Sequence, residues 1–361
     1  MKDRMIKFSR KLDQDFAKEL RSNVNAYFKD NNISKNANAK MVIKTIFMLC
    51  LYLVPYGFMI SGNVTNTFMF IGLWAIMAFG MAGIGLSIMH DANHGSYSKN
   101  QRVNSVLGYL VNLVGGNSIN WKLQHNVLHH TYTNIEGHDE DIDSLPILRF
   151  SPNKEKMKVQ KFQFIYAWFF YSLLTLSWST VKEFLQIKRF HSYGLTKTKK
   201  RYHLILIGLV FWKIFYFTYL LVIPIMLVPE MTGAIVGGFF IMHFMAGVIL
   251  SAIFQSAHVM PECDFAMPDN KDEIDQSFLV HQLLNTCNFA TKSKAFTWFV
   301  GGLNHQVEHH LFPNICHIHY PNISKIVKDT ADKYKIPYYS HKTFLDAVSQ
   351  HTKMLYKLGR Q

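Results

Sequence analysis

Four long apolar stretches limit what this 361-residue chain can fold into. They cover residues 41–61, 68–89, 204–228 and 233–257. A helix needs about 20 apolar residues to cross the hydrocarbon core of a bilayer, and each stretch meets that requirement. Charged residues make up only 17% of the chain, whereas soluble domains have about a quarter. The sequence therefore predicts an all-α integral membrane protein with four transmembrane helices, and it excludes a disordered chain.

The distribution of basic residues predicts the orientation of the helices. Of the 38 lysines and arginines, 36 lie within residues 1–40, 90–203 and 258–361. The connectors 62–67 and 229–232 hold none. By the positive-inside rule, both termini and the large loop belong in the cytosol. Orientation thus accounts for most of the net charge of +14, and we expect no nucleic-acid partner.

Two other segments are interpreted as accessory to a single membrane domain, residues 41–361. Residues 164–180 are read as an interfacial or capping helix, because a fifth crossing would place the basic C-terminal segment on the opposite side. Residues 1–40 are predicted to form a cytosolic arm with an amphipathic helix. Its apolar stripe recurs every four residues, at Phe8, Leu12, Phe16, Leu20, Val24 and Phe28.

Eight of the 18 histidines fall into three tight groups. The first group is HDANH, with His90 and His94, and the second is HNVLHH, with His125, His129 and His130. Residues four apart share one face of a helix. We therefore expect His90 and His94 to bind one metal ion and His125 to act together with His129. His130 lies about 100° further round an α-helix and could reach a second ion.

The third group, HQVEHH, repeats this pattern with His305, His309 and His310. His90 and His258 each follow the end of a predicted span by one residue, so they should lie at one level of the membrane. All of these side chains can then meet at the cytosolic mouth of the helix bundle, in a helical cap. Nine imidazoles exceed what one metal ion can use, which indicates two ions. Imidazole suits iron, zinc, copper and nickel.

Acidic residues and cysteines complete the candidate set. Asp91 lies inside the first group and Asp139 follows the second, so either could bind the metal or orient an imidazole. The acidic residues around Asp139 could equally form a docking patch or a solvated loop. The four cysteines show no CxxC spacing and predict neither a metal site nor a disulfide framework. We expect them to be free thiols on a reducing side.

These motifs resemble those of the membrane fatty acid desaturase family. The three boxes read HDANHGSYS, HNVLHHTYTN and NHQVEHHLFP, and the similarity extends over roughly residues 40–350. The third box is similar to that of the front-end subgroup, in which glutamine replaces the first histidine. The resemblance implies a fatty acyl desaturase with front-end selectivity, of the Δ5/Δ6 type.

The resemblance also implies a non-haem di-iron centre, which uses O2 and two external electrons to remove two hydrogens and leave a cis double bond. Seven histidines match box ligands, Gln306 matches the substituted position, and His258 matches an extra ligand after the fourth span. The seven are His90, His94, His125, His129, His130, His309 and His310.

Two residues, His305 and Gln306, are candidates for the first ligand of the third box. Helical spacing favours His305 as the first member of the third box, whereas similarity to the family favours Gln306. We favour Gln306, as a ligand or acting through water, with His305 close to it.

The implied partners are a fatty acyl substrate, carried as acyl-CoA or in a lipid, the lipid bilayer, O2 and an electron donor. No His-Pro-Gly-Gly haem motif occurs, so the donor is expected to be a ferredoxin or a separate cytochrome. We expect a bacterial cell membrane rather than the endoplasmic reticulum. The alternatives are a lipid hydroxylase with the same ligands, a zinc-dependent membrane hydrolase and a metal transporter.

Overall fold

The computed structural model describes residues 6–143 and 146–361. The first five residues of the predicted arm therefore lie outside the described chain. Short strands are β1 (Lys7–Phe8), β2 (Glu273–Ile274), β3 (Cys287–Phe289) and β4 (Tyr339–His341), and they form the parallel pairs β1–β2 and β3–β4. The helices named below are α1 (Gln14–Asp30), α2 (Ala39–Ile60), α3 (Thr67–Asn93), α4 (Gln101–Gly108), α5 (residues 118–132), α6 (Lys158–Ser172), α7 (Leu174–Ser192), α8 (Lys199–Leu227), α9 (Pro229–His258), α10 (Phe278–Leu284), α11 (Lys294–Phe299), α12 (Gln306–Leu311), α13 (Tyr320–Lys333) and α14 (Phe344–Leu358).

Helices α2, α3, α8 and α9 are long and apolar enough to cross a membrane. Their outward faces expose large apolar side chains, such as Ile43, Phe68 and Ile214, which are 65%, 85% and 62% exposed. Such a surface is costly in water and is what contact with lipid requires. The prediction of an integral membrane fold with four transmembrane helices is confirmed.

Glycines allow the membrane helices to approach closely. A Cβ atom added at Gly80 of α3 would lie 2.7 Å from the backbone nitrogen of Tyr52 in α2. One added at Gly238 of α9 would lie 2.0 Å from the ring of Trp74 in α3. Small residues at such crossings permit tight backbone packing in a bilayer. The contacts hold α2 and α9 against α3, which carries the first histidine group at its end.

The stretch 164–180 is broken between α6 and α7, whose axes bend by 55°. Helix α7 supplies Glu183, which accepts a hydrogen bond of 2.5 Å from Lys213 of α8. Lys213 also donates to the carbonyls of Gly115, at 2.6 Å, and Trp178, at 2.8 Å. The lysine is therefore buried and fully paired inside the protein, and its side chain does not extend to the membrane surface.

Helix α1 packs its apolar stripe against the C-terminal part of the chain. Phe16, Leu20, Val24 and Phe28 are buried in one cluster with Val307 and residues of α10, α12 and α13. The stripe thus fixes helices that carry site residues, because α12 bears two clustered histidines and α10 bears Gln282, the partner of His310.

Candidate metal centre

The histidine groups meet where α3 and α9 end. His90 lies in the last turn of α3 and His94 follows it, while His258 is the last residue of α9. Helix α5 supplies three more histidines and α12 supplies His309 and His310. All of these side chains are buried except that of His94, which is partly exposed. The fold therefore collects imidazoles from four separate segments into one place.

The imidazoles form two groups. The metal-binding atoms of the first group all lie within 4.8 Å of one another, as do those of the second. His130 lies between the groups, because it forms a further set with His309 and His310. The first group is His90, His94, His125 and His309, and the second is His129, His258 and His310.

The local helix geometry differs from the expectation for α5. Residues 122–129 form π-helical turns, in which hydrogen bonds span five residues instead of four. His125 and His130, five apart, therefore bring their Nε2 atoms to 3.2 Å. His125 and His129 fall into different all-imidazole groups, but they also form a set with Asp141, so the expectation that they act on one ion stays a prediction.

The distances between ring nitrogens fit metal coordination. Nε2 of His125 lies 3.1 Å from Nε2 of His90, and Nε2 of His130 lies 3.0 Å from Nε2 of His309. Two nitrogens bound at about 2.1 Å to one ion, at right angles, are about 3.0 Å apart. Unpaired buried nitrogens are costly, yet Nε2 of His94, His129, His258 and His310 has no hydrogen-bond partner among the described residues. A metal ion is the natural partner for these lone pairs.

The opposite ring nitrogens are held by other side chains and by the backbone. Nδ1 of His129 donates to Asp139 at 3.0 Å, and Nδ1 of His310 donates to the Gln282 carbonyl oxygen at 2.8 Å. Partners of this kind fix the tautomer and leave the Nε2 lone pair free for a metal. His258 is held in the same way by the backbone carbonyl of Asn285, at 3.1 Å, and His309 lies 3.2 Å from the Tyr320 hydroxyl.

Electrostatics favour neutral imidazoles at most of these positions. Burial, reinforced by neighbouring imidazoles, holds the pKa of His94, His130, His309 and His310 well below the usual range. His129 behaves differently. Burial lowers its pKa, but the carboxylates of Asp139 and Asp141 outweigh this effect and raise the pKa to about 9. Neutral histidine is the form that binds metal, and a carboxylate behind the ring makes it a more basic ligand.

The third box begins outside its helix. Helix α12 starts at Gln306, so His305 precedes it with a non-helical backbone, and the i,i+4 argument for His305 does not apply. Nδ1 of His305 lies 3.6 Å from a Glu308 carboxylate oxygen, whereas His309 turns into the first group. The side-chain oxygen of Gln306 is buried and has no hydrogen-bond partner among residues 6–143 and 146–361.

Asp91 has a partner that the sequence did not indicate. Its carboxylate accepts a hydrogen bond of 2.9 Å from Nδ1 of His317, whose Nε2 lies 2.7 Å from Nζ of Lys44. Asp91 thus supports the end of α3 through a buried chain of polar groups. Gln282, Asn285 and His317 were all missed by sequence reasoning, since no spacing relates them to the boxes.

A narrow apolar pocket adjoins the first group. Its lining includes Met89, Trp121, Thr175 and Phe254. The ring centroid of Trp121 lies 4.5 Å from that of His125 and 5.4 Å from that of His90. Apolar side chains therefore line a narrow pocket at the edge of the histidine cluster.

We expect the substitution Asp139→Asn to weaken metal binding about 10–100-fold, the usual effect of removing an outer partner of a ligand histidine. Asp139 also accepts the backbone N–H groups of Asn134, at 2.8 Å, and Asp141, at 2.9 Å. Competition with a chelator measures the loss. Asp143→Asn is the control, because Asp143 pairs with Arg189 outside the cluster. Equal affinities for the two variants would contradict this role for Asp139.

Comparison with known proteins gives a consistent result. The fatty acid desaturase family model matches residues 66–342. The chain is 32% identical to the sn-1 linoleoyl-lipid 6-desaturase of Synechocystis sp., over 98% of each protein. It is 35% identical to the enzyme of the same name from Arthrospira platensis, over 95% of this chain and 92% of that protein. It is 32% identical to the acyl-lipid (8-3)-desaturase of Physcomitrium patens, over 96% of this chain and 72% of that protein.

Proposed function

Because the chain belongs to the fatty acid desaturase family, we propose that it introduces a cis double bond into the acyl chain of a membrane lipid with front-end selectivity. The desaturase activity follows from the family. The acyl-lipid carrier and the position of the new double bond near carbon 6 are supported by the names of the relatives from Synechocystis sp. and Arthrospira platensis, which align over nearly the whole chain. The chain is thus an oxidoreductase of lipid metabolism.

The observation that carries the proposal is the junction between the apolar pocket and the histidine cluster. Trp121 contacts the rings of His90, His94 and His125, and Phe254 contacts two of the same three rings. Methylene groups bound along this wall would lie next to the first group of imidazoles. Among the described residues that line it, this wall has no charged side chain, which suits a hydrocarbon and would exclude water from the reacting segment.

The residues proposed to hold the metal are the two histidine groups, His130 between them and Gln306. Bound there, two iron ions would supply oxygen activation with two electrons from an external donor. In the second group, the chain's own part is to keep the Nε2 lone pairs of His129, His310 and His258 directed inwards, through Asp139, Gln282 and the carbonyl of Asn285. These partners also keep the protons of the same three imidazoles on Nδ1.

The membrane arrangement supports cytosolic access for the donor. His90 and His258 lie at the ends of α3 and α9 that meet on one side of the bundle. The basic segments lie on the same side in the four-span topology, which the positive-inside rule places in the cytosol. We propose that both termini and the metal centre face the cytosol of a bacterial cell, where a ferredoxin or a separate cytochrome docks.

The site argues against a metal transporter, and the relatives argue against the other rival functions. A metal transporter needs polar ligands midway along its spans. His243 of α9 is the histidine found there, and both its ring nitrogens are occupied, by Tyr216 at 2.8 Å and Thr175 at 2.9 Å. A lipid hydroxylase would use the same residues, and a zinc hydrolase would need no apolar pocket at the metal. The family relatives favour neither of them.

Expression in a host without polyunsaturated lipids tests the proposal. Cells are fed defined fatty acids, and double bonds in intact glycerolipids are located by mass spectrometry. We expect products lacking two hydrogens, with the new bond near carbon 6 of a chain still esterified to the lipid. The variant His130→Ala serves as the inactive control. A product that gains one oxygen would identify a hydroxylase, and a product found only as acyl-CoA would contradict the acyl-lipid substrate.

A further inference from the structure

A second group of potential metal ligands lies behind the histidine cluster. The thiols of Cys263 and Cys287 come from positions 24 residues apart, and their sulfur atoms are 3.7 Å from each other. Both cysteines are buried, at 7% and 0% exposure. A disulfide would need a sulfur–sulfur distance of about 2.05 Å. Two sulfurs bound at about 2.3 Å to one tetrahedral zinc ion would lie about 3.8 Å apart, close to the spacing found here.

His341 extends this pair to a set of three. Strand β4 runs parallel to β3, with Tyr339 beside Cys287 and His341 beside Phe289. The Cys287 thiol lies next to the imidazole of His341 and is the main cause of a raised pKa of that ring. Nε2 of His341 is buried and, apart from the neighbouring Cys287 thiol, makes no hydrogen bond to any described residue. The strand pairing therefore brings the imidazole next to the Cys287 thiol, whose sulfur in turn lies 3.7 Å from that of Cys263.

Two carboxylates complete the arrangement. Glu262 precedes Cys263, and its carboxylate oxygen lies 3.8 Å from Nε2 of His341. Asp346 lies on the other side of the ring, 3.3 Å from Nδ1. A carboxylate on Nδ1 that leaves Nε2 free is the usual support for a zinc-bound histidine. Glu262 is partly exposed, at 36%, so it can supply an oxygen ligand from the solvent side.

We propose that Cys263, Cys287, His341 and Glu262 form a tetrahedral zinc site that is separate from the histidine cluster. Two sulfurs, one nitrogen and one oxygen form a set that zinc accepts, whereas the imidazole cluster provides no thiol. Binding converts the two thiols to thiolates, and their protons pass to solvent. The site does not depend on the proposed lipid chemistry and would exist whatever the enzyme's substrate.

The position of the zinc site gives it a structural role. Cys263 follows His258 by five residues and Cys287 follows Asn285 by two. The segment between the cysteines carries Gln282 and Asn285, which hold the rings of His310 and His258. An ion that joins the two ends of this segment would keep both partners in place behind the histidine cluster.

The test is the zinc and iron content of the purified full-length protein, measured by elemental analysis. We expect one zinc per chain in the wild type. In Cys287→Ser and in His341→Ala the zinc content should fall below about a tenth of that value, because each variant removes a direct ligand, whereas the iron content should fall by much less. Cys50→Ser is the matched control, since Cys50 is an exposed thiol on α2 away from the site.

A second measurement needs no variant that might misfold. Wild-type protein loaded with Co2+ should show thiolate-to-cobalt charge-transfer absorption, and zinc should displace it. Two results would overturn the proposal. One is a wild-type protein that binds neither zinc nor cobalt through sulfur, in which alkylation shows that Cys263 and Cys287 are free thiols or are joined as a disulfide. The other is zinc that stays at wild-type level in the Cys287→Ser variant, which would place it among the imidazoles.

Discussion

The variant His309→Ala is expected to lose desaturation and at least one metal ion. His309 belongs to the first group of imidazoles, and its Nε2 also lies 3.0 Å from that of His130. Removing it takes away a ligand and opens a cavity in a buried site. Loss of an outer partner of a ligand already costs about 10–100-fold, so the loss of activity should exceed about 100-fold. Product analysis and iron content measure the two effects.

The control for this variant is His203→Ala. His203 lies near the start of α8, where its Nδ1 is 2.8 Å from the carbonyl of Lys199, and the residue is exposed. This variant should keep both its iron and its activity. If His309→Ala folds and still forms product at near the wild-type rate, the proposed metal-binding role of the third box is wrong.

The variant Lys213→Met is expected to destabilise the protein by about 3–5 kcal/mol, the usual cost of leaving one partner of a buried ion pair alone. The side chains of Lys213 and Glu183 are 7% and 5% exposed. Without the lysine, the Glu183 carboxylate and the carbonyls of Gly115 and Trp178 lose their shared donor. Thermal unfolding in detergent should show a markedly lower midpoint.

Two comparisons sharpen this prediction. The double variant Lys213→Met with Glu183→Leu should recover part of the stability, because no unpaired charge stays buried. The exposed pair of Lys325 and Asp329, with side chains 86% and 61% exposed, should contribute little, so Lys325→Met should leave the midpoint nearly unchanged. An equal loss in Lys213→Met and Lys325→Met would contradict the role assigned to the buried pair.

The four membrane helices could be predicted because their signal is local. Each apolar stretch is long enough to span a bilayer on its own, and the three histidine boxes stand out by their spacing. The pairing of imidazoles could not be predicted. It depends on π-turns at residues 122–129 and on a helix that begins at Gln306 rather than at His305. Both are backbone details that tertiary packing decides.

Contacts between segments that are distant in the chain also could not be predicted from the sequence. Asp139 could be proposed as a partner because it follows the second box closely, and the structure places it on His129. Gln282 stands 28 residues from His310 and carries no spacing signal. The cysteines gave no metal pattern because spacing rules apply within one segment, whereas Cys263 and Cys287 meet only through the fold.

Imidazoles from four segments are expected to hold two metal ions beside an apolar pocket. Anomalous scattering at the iron edge, from crystals of iron-loaded protein, tests this expectation most directly. We expect two iron peaks per chain, one among the first group of histidines and one among the second, with His130 between them. A single peak, or iron bound only outside these residues, would contradict it.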